Sequence, residues 1–247
     1  MERYVSQICK VAEKPYLYHD SVLNQMNSSG MDYQALKNLV RRGEGSSLEF
    51  KLKTNHPEKI IRGVVAFANT NGGIMLIGVG DDKKIQGLKY ADEDEYLLVR
   101  AIHKHCFPRI SYTIDRVQLY DEREVLVIRV PPSLNKPHYI LPDPADPDTK
   151  KAYVRVADKS VQASREVREI LKGAQAARDI RFSYGEKEHK LMQHLGEHDK
   201  ITVDLFASIA GISRKIASRT LVLLVLANVL EIHPSDIMDQ YTTRPVS

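Results

Sequence analysis

Cysteine is scarce in this chain. Cys9 and Cys106 are the only two, which argues against a disulfide scaffold and fits reduced thiols in a cytoplasmic protein. Long apolar runs are also missing. The longest, Leu221 to Leu230, is interrupted by Asn228 and falls far short of the roughly 18 residues a bilayer span requires, so no membrane partner is expected. Met1, Glu2, Arg3 and Tyr4 do not open a secretory leader, because charge and polarity break every early apolar cluster. There is little charge of one sign either: 36 Lys and Arg face 32 Asp and Glu, with a pI near 8.9. Such a balance permits phosphate binding without demanding it, so the distribution of cations must decide.

Several chemistries lack their motif. No Gly-x-x-x-x-Gly-Lys-Ser/Thr run exists to cradle nucleotide phosphates. His103-Lys104-His105-Cys106 has no second ligand pair for structural zinc and reads as a helix end with exposed histidines. Asp143, Asp146 and Asp148 lie in a proline-spaced loop without the glycine of a calcium loop. Neither a serine nucleophile elbow, an internal repeat nor a low-complexity tract appears.

What is present suits a packed core. The 247 residues are 43% hydrophobic and 28% charged, enough for one large domain or two small ones. Asn24, Asn27, Ser28, Ser29 and Gly30 form a turn-rich boundary. Asp32 then caps a short helix with apolar Leu36, Leu39 and Val40, ended by Gly43. Ser47 to Lys53 alternates Leu48, Phe50 and Leu52 with charged residues, the pattern of a half-buried strand. Pro57 opens a helix with a 3.6-residue apolar stripe, stopped by Asn69 to Gly73, and an apolar strand follows from Ile74 to Val79. Asp92 to Cys106 reads as a helix with Tyr96, Leu97, Val99, Ala101 and Ile102 inward. Three strands come next, at Ile110 to Leu119, Glu124 to Pro131 and Ala152 to Val156, and Ser164 caps a helix leading out. The expected class is α+β, helices packed on a mixed or mostly antiparallel sheet.

From about Ser183 the pattern is helical. Lys187 to Glu197 is amphipathic, Thr202 caps a second helix, Gly211 breaks it, and Ser213 caps a third through Ala227. Helix, glycine-containing turn, helix is the helix-turn-helix order, and Leu230 to His233 would begin a wing. Arg214, Lys215, Ser218 and Arg219 open the third helix, where such motifs meet phosphates or base edges. The apolar run after Thr220 favours burial in a core or against a second subunit, and docking alone is the other reading of these helices.

Three blocks carry a family resemblance. Gly43-Glu44-Gly45-Ser46-Ser47-Leu48-Glu49-Phe50-Lys51, then Ala66-Phe67-Ala68-Asn69-Thr70-Asn71-Gly72-Gly73 with Leu76-Ile77-Gly78-Val79 and Asp81-Asp82, and finally Tyr153-Val154-Arg155-Val156 with Ala163-Ser164, occur in that order. Together they resemble the Schlafen-type AlbA-like domain over roughly residues 35 to 172. Gly80, inserted before the aspartates, and Ala157, where the family has glycine, depart from the pattern. The implied layout is an extension over 1–34, the AlbA-like domain over 35–172, a linker helix over 173–182 and a winged helix over 183–247.

The resemblance implies nucleic-acid binding. Asn69 and Gly72-Gly73 offer either an anion-binding nest or a plain helix end, and Lys51, Lys53, Arg62 and Arg155 either face phosphates or form a solvated face. It also implies an alternative. Related Schlafen ribonucleases place two glutamates and an aspartate at these positions, so Glu44, Glu49 and Asp81 (or Asp82, a choice the extra Gly80 leaves open) would hold Mg or Mn and activate water, unless the glutamates pair with Lys51 or Arg155. The expected function is a DNA-binding transcriptional regulator, homodimeric and without a required cofactor. A metal-dependent nuclease and an oligomerisation module are the competing classes, with RNA the alternative ligand.

Overall fold

The computed structural model describes residues 31–143, 146–175 and 183–245. Cys9, the turn residues 24–30 and most of the expected linker helix (176–182) lie outside them.

Local signals set the first elements. Asp32 Oδ1 accepts a hydrogen bond from Ala35 N at 2.6 Å, starting helix α1 (Tyr33–Arg42), and Gly43 ends it at a φ of 82°. Strand β1 (Leu48–Lys51) leads to helix α2 (Pro57–Asn69), with proline in its first turn, and then to β2 (Gly73–Ile77). Helix α3 (Ala91–His105), β3 (Cys106–Phe107), β4 (Thr113–Gln118), β5 (Glu124–Val130) and β6 (Tyr139–Ile140) follow. Next come β7 (Tyr153–Val156), β8 (Lys159–Gln162) and α4 (Arg165–Gly173), which Ser164 caps by accepting from Val167 N.

A mixed four-stranded sheet organises them in the order β1-β2-β5-β4. The β1–α2–β2 unit is a parallel crossover, and the other pairings are antiparallel. Period-two alternation divides the sheet's residues between two cores. Leu48, Phe50, Leu76, Val125 and Val127 face α1, while Met75, Ile77, Leu126, Ile128 and Val130 face α2 and α3. Each fully buried aliphatic side chain contributes about 1.5–3 kcal/mol.

Covering both faces changes one expectation. β1 alternates as read, yet it is not half-buried, because α2 covers the Glu49 side as well. Helix α3 differs too. Leu98 and Ile102 are its buried residues with Ala91, whereas Tyr96 and Leu97 stay 65% and 54% exposed. The small β3–β6 pair and strand β8, which pairs with β7, were not anticipated. They are too short for periodicity to register.

The C-terminal segment comprises α5 (Glu186–Glu197), α6 (Val203–Ala210), α7 (Arg214–Leu226), β9 (Leu230–His233) and β10 (Gln240–Thr243). Thr202 and Ser213 cap α6 and α7 with their hydroxyls, and Gly211 turns left-handed at a φ of 64° between them. Leu191, Phe206, Leu221, Leu224 and Tyr241 share one core. Helix α7 also packs along α4. Ser218 Oγ donates to Glu166 Oε1 at 2.6 Å, and Gly173 meets Leu226 closely enough that a β-carbon would lie 2.5 Å from Leu226 Cδ1. The apolar run of α7 is therefore used within the molecule. Ile232 of β9 joins the cluster of Ala152, Val154, Ala163 and Val167.

Candidate nucleic-acid interface

Glu49 projects toward α2, and α2 admits it at Gly63. A β-carbon there would sit 2.8 Å from Glu49 Oε2 and 2.4 Å from Met75 Cε. Into this space comes Arg155 of β7. Its Nη1 donates to Glu49 Oε2 at 2.7 Å, Nη2 and Nε donate to Gly45 O at 2.9 and 3.2 Å, and the guanidinium lies 5.1 Å from the Phe67 ring. Lys51 Nζ approaches Glu49 Oε1 at 2.6 Å. The Arg155 side chain is 1% exposed. Arg155 thus locks β7 to β1 and is not an outward phosphate ligand; Lys51 is half-committed to the same carboxylate.

Asn69 is likewise an internal clamp. At 1% exposure, its Nδ2 donates to the carbonyls of His138 and Tyr153 at 2.9 Å each, and its Oδ1 accepts from His138 N at 2.7 Å. These bonds use the whole amide, as a buried amide requires. The Asn69 side chain is therefore engaged within the fold, and the backbone N–H groups of Thr70 and Gly72 both donate to Phe67 O, at 3.1 and 2.9 Å, closing the end of α2.

The three carboxylates of the nuclease reading do not form a site. Glu44 is exposed and accepts from Phe50 N at 2.6 Å, Glu49 is neutralised by Arg155 and Lys51, and Asp81 stands on an exposed turn. Beside it, the Lys84 hydrogen bond holds the Asp82 carboxyl below its usual range. Among the described residues no three His, Cys, Asp or Glu side chains gather as a metal-binding group. Buried Glu49 needs a countercharge, and Arg155 supplies it internally.

Lys53 has a different setting. It is exposed on a groove of about 260 Å³ walled by the segment after β1, the segment before α3 and Arg123. Lys89 and Arg123 line the same groove, and the exposed Tyr90 ring lies 5.2 Å from Lys89 Nζ. Thr54 Oγ1 donates to the Asp94 carboxylate, tying one wall to α3. Arg123 donates to Gln86 O at 3.4 Å and pairs with Asp121 at 3.3 Å, which orients its guanidinium. Lys89, Tyr90 and Arg123 were not anticipated, since nothing local in the sequence joins them to Lys53. Arg62, exposed on α2, stacks 5.1 Å over the Tyr153 ring.

The family model described as Schlafen, AlbA_2 matches residues 44–164. Residues 44–164 are a Schlafen AlbA_2 domain. Among solved structures, the chain is similar to the DIP2311 protein from Corynebacterium diphtheriae, at 20% identity and a TM-score of 0.39 over 61% of this chain and 32% of that one. It thus spans about a third of that protein. It is also similar to the N-terminal domain of a RecG-related protein from Nitrosomonas europaea, at 20% identity and a TM-score of 0.37 over 52% of this chain and 91% of that one. No curated protein matches the chain.

Beyond the AlbA_2 domain, the expected α7 residues divide. Arg214 Nε donates to Asp204 at 2.7 Å, a bond that raises its pKa, and Ser218 donates to Glu166. Lys215 and Arg219 are exposed, one turn apart, with no ion-pair partner among the described residues. The connection between β9 and β10 carries Asp236 and Asp239 and no Lys or Arg. No helix among the described residues is long and apolar enough to cross a membrane.

Proposed function

We propose that the chain is a DNA-binding transcriptional regulator that meets the phosphate backbone through the Lys53 groove and the Lys215–Arg219 edge of α7. The observation that carries this reading is the groove, where Lys53, Lys89 and Arg123 stand on one concavity beside an exposed aromatic ring. Cations position a polyanion through its phosphates. The order α6, Gly211 turn, α7, β9, β10 supports a winged-helix reading of the C-terminal segment, with α7 as the helix that enters the groove. The acidic hairpin repels phosphate, so the helix and not the hairpin makes the duplex contact.

Fluorescence anisotropy tests this with mixed-sequence duplex DNA, single-stranded DNA and single-stranded RNA at about 50 and 200 mM salt. Duplex binding at low salt is expected, weakened at least tenfold in Lys53→Ala/Lys89→Ala/Arg123→Ala and in Lys215→Ala/Arg219→Ala. No DNA binding at low salt overturns the reading. Binding of RNA alone replaces DNA as the ligand, and an unaffected α7 variant removes that helix from the interface.

A further inference from the structure

Helix α3 packs on α2, β3 and β5, buries Leu98 and Ile102 in that contact, and leaves its opposite face bare. Glu93, Tyr96, Leu97, Arg100 and Lys104 recur on the bare face at helical spacing, and all five are exposed. Tyr96 and Leu97 stand side by side near its middle, and Phe107, also exposed, follows just past the helix end. A lone exposed apolar side chain is ordinary. An adjacent pair framed by charges of both signs has the composition of a contact surface.

The charges on this face are unspent. Asp92 and Glu95 both go to Arg116. Glu93, Arg100 and Lys104 have no ion-pair partner among the described residues. Within their own helix they do not meet, because Glu93 lies about two turns from Arg100 and about three from Lys104. Arg100 and Lys104, one turn apart, repel each other mildly.

An acidic first turn and a basic last turn suit the dipole of α3 itself. The same polarity makes the face complementary to itself when it is turned end for end. A two-fold axis between Leu97 and Arg100 sets Glu93 of each copy opposite Lys104 of the other. Leu97 then lies against the aliphatic stem of Arg100 at the centre. The mixed signs suit neither a polyanion nor a polycation. We propose that α3 docks antiparallel on α3 of a second copy, closing a two-fold dimer. The apolar run of α7 is used inside the molecule, so the homodimer expected from the sequence forms through α3 instead. The proposal stands apart from the DNA reading.

Sedimentation velocity of the full chain, without nucleic acid, at up to about 0.1 mM protein and about 50 mM salt, tests it. A monomer–dimer equilibrium is expected. Glu93→Lys and Lys104→Glu each set like charges face to face at both ends and should weaken the dimer at least tenfold. Mixing the two variants in equal amounts should restore dimers, because every copy then meets the opposite charge. Leu97→Asp places a carboxylate in the centre of the contact and should give monomer. All three positions are exposed, so circular dichroism should show the fold retained. A chain that stays monomeric throughout overturns the proposal. So does a dimer that survives Leu97→Asp and both reversals, or a mixture of the two reversals that stays monomeric.

Discussion

Arg155 gives its guanidinium to Glu49 and to the carbonyls of Gly45 and Leu48. Removing it leaves a carboxylate in the α2-facing core with only Lys51 beside it. Arg155→Ala should therefore cost about 3–5 kcal/mol in urea unfolding, the range for breaking one side of a buried pair. Ala157 holds a φ of 51°, where a β-carbon is strained. Ala157→Gly, restoring the residue that resembling sequences carry there, should raise stability by about 0.5–1 kcal/mol and lift the melting temperature, because strain relief exceeds the added chain entropy. Burial pushes the Cys106 thiol from 9.0 up to about 12. In a Cys9→Ser background, native Cys106 should thus resist thiol reagents at pH 8 and react on unfolding. Since the folded-state pKa is the higher one, Cys106's contribution to stability is complete below pH 9 and is lost as pH rises toward 12.

At the scale of elements, what was legible was local. Asp32, Ser164, Thr202 and Ser213 each cap the helix expected of them, since a cap acts only on the next turn. The second cover on β1 was not legible, because α2 and β7 close over Glu49 from elsewhere in the chain. The same limit hid the groove. Lys53, Lys89 and Arg123 meet only once the segments before α3 and β5 are brought beside the end of β1. Asn69 and Arg155 were legible as motif residues but not as internal clamps, for a motif marks a position without giving the direction of its side chain. Helix packing offers its own test. Gly173→Val would drive a branched side chain into Leu226, and it should lower stability by about 1–3 kcal/mol through overpacking between α4 and α7.

Across the whole molecule, the formal charge of +4 is too small to bind a polyanion by itself. The proposed affinity must come from placed cations, and its salt dependence would count them. For duplex DNA, each cation–phosphate pairing that a substitution abolishes should lower the slope of log affinity against log salt by about 0.9. Lys53→Ala/Lys89→Ala/Arg123→Ala should therefore flatten the slope by up to about three such steps, while Arg155→Ala leaves it unchanged in whatever fraction stays folded. The α4–α7 contact has a practical consequence for anyone dividing the chain to assign these roles. A cut after Lys172 removes Ile232 and Leu226 from against α4, leaving Val167 and Leu171 wet along one stripe. Such a fragment should self-associate or adsorb, so surface point substitutions separate the two binding roles more cleanly than scissors do.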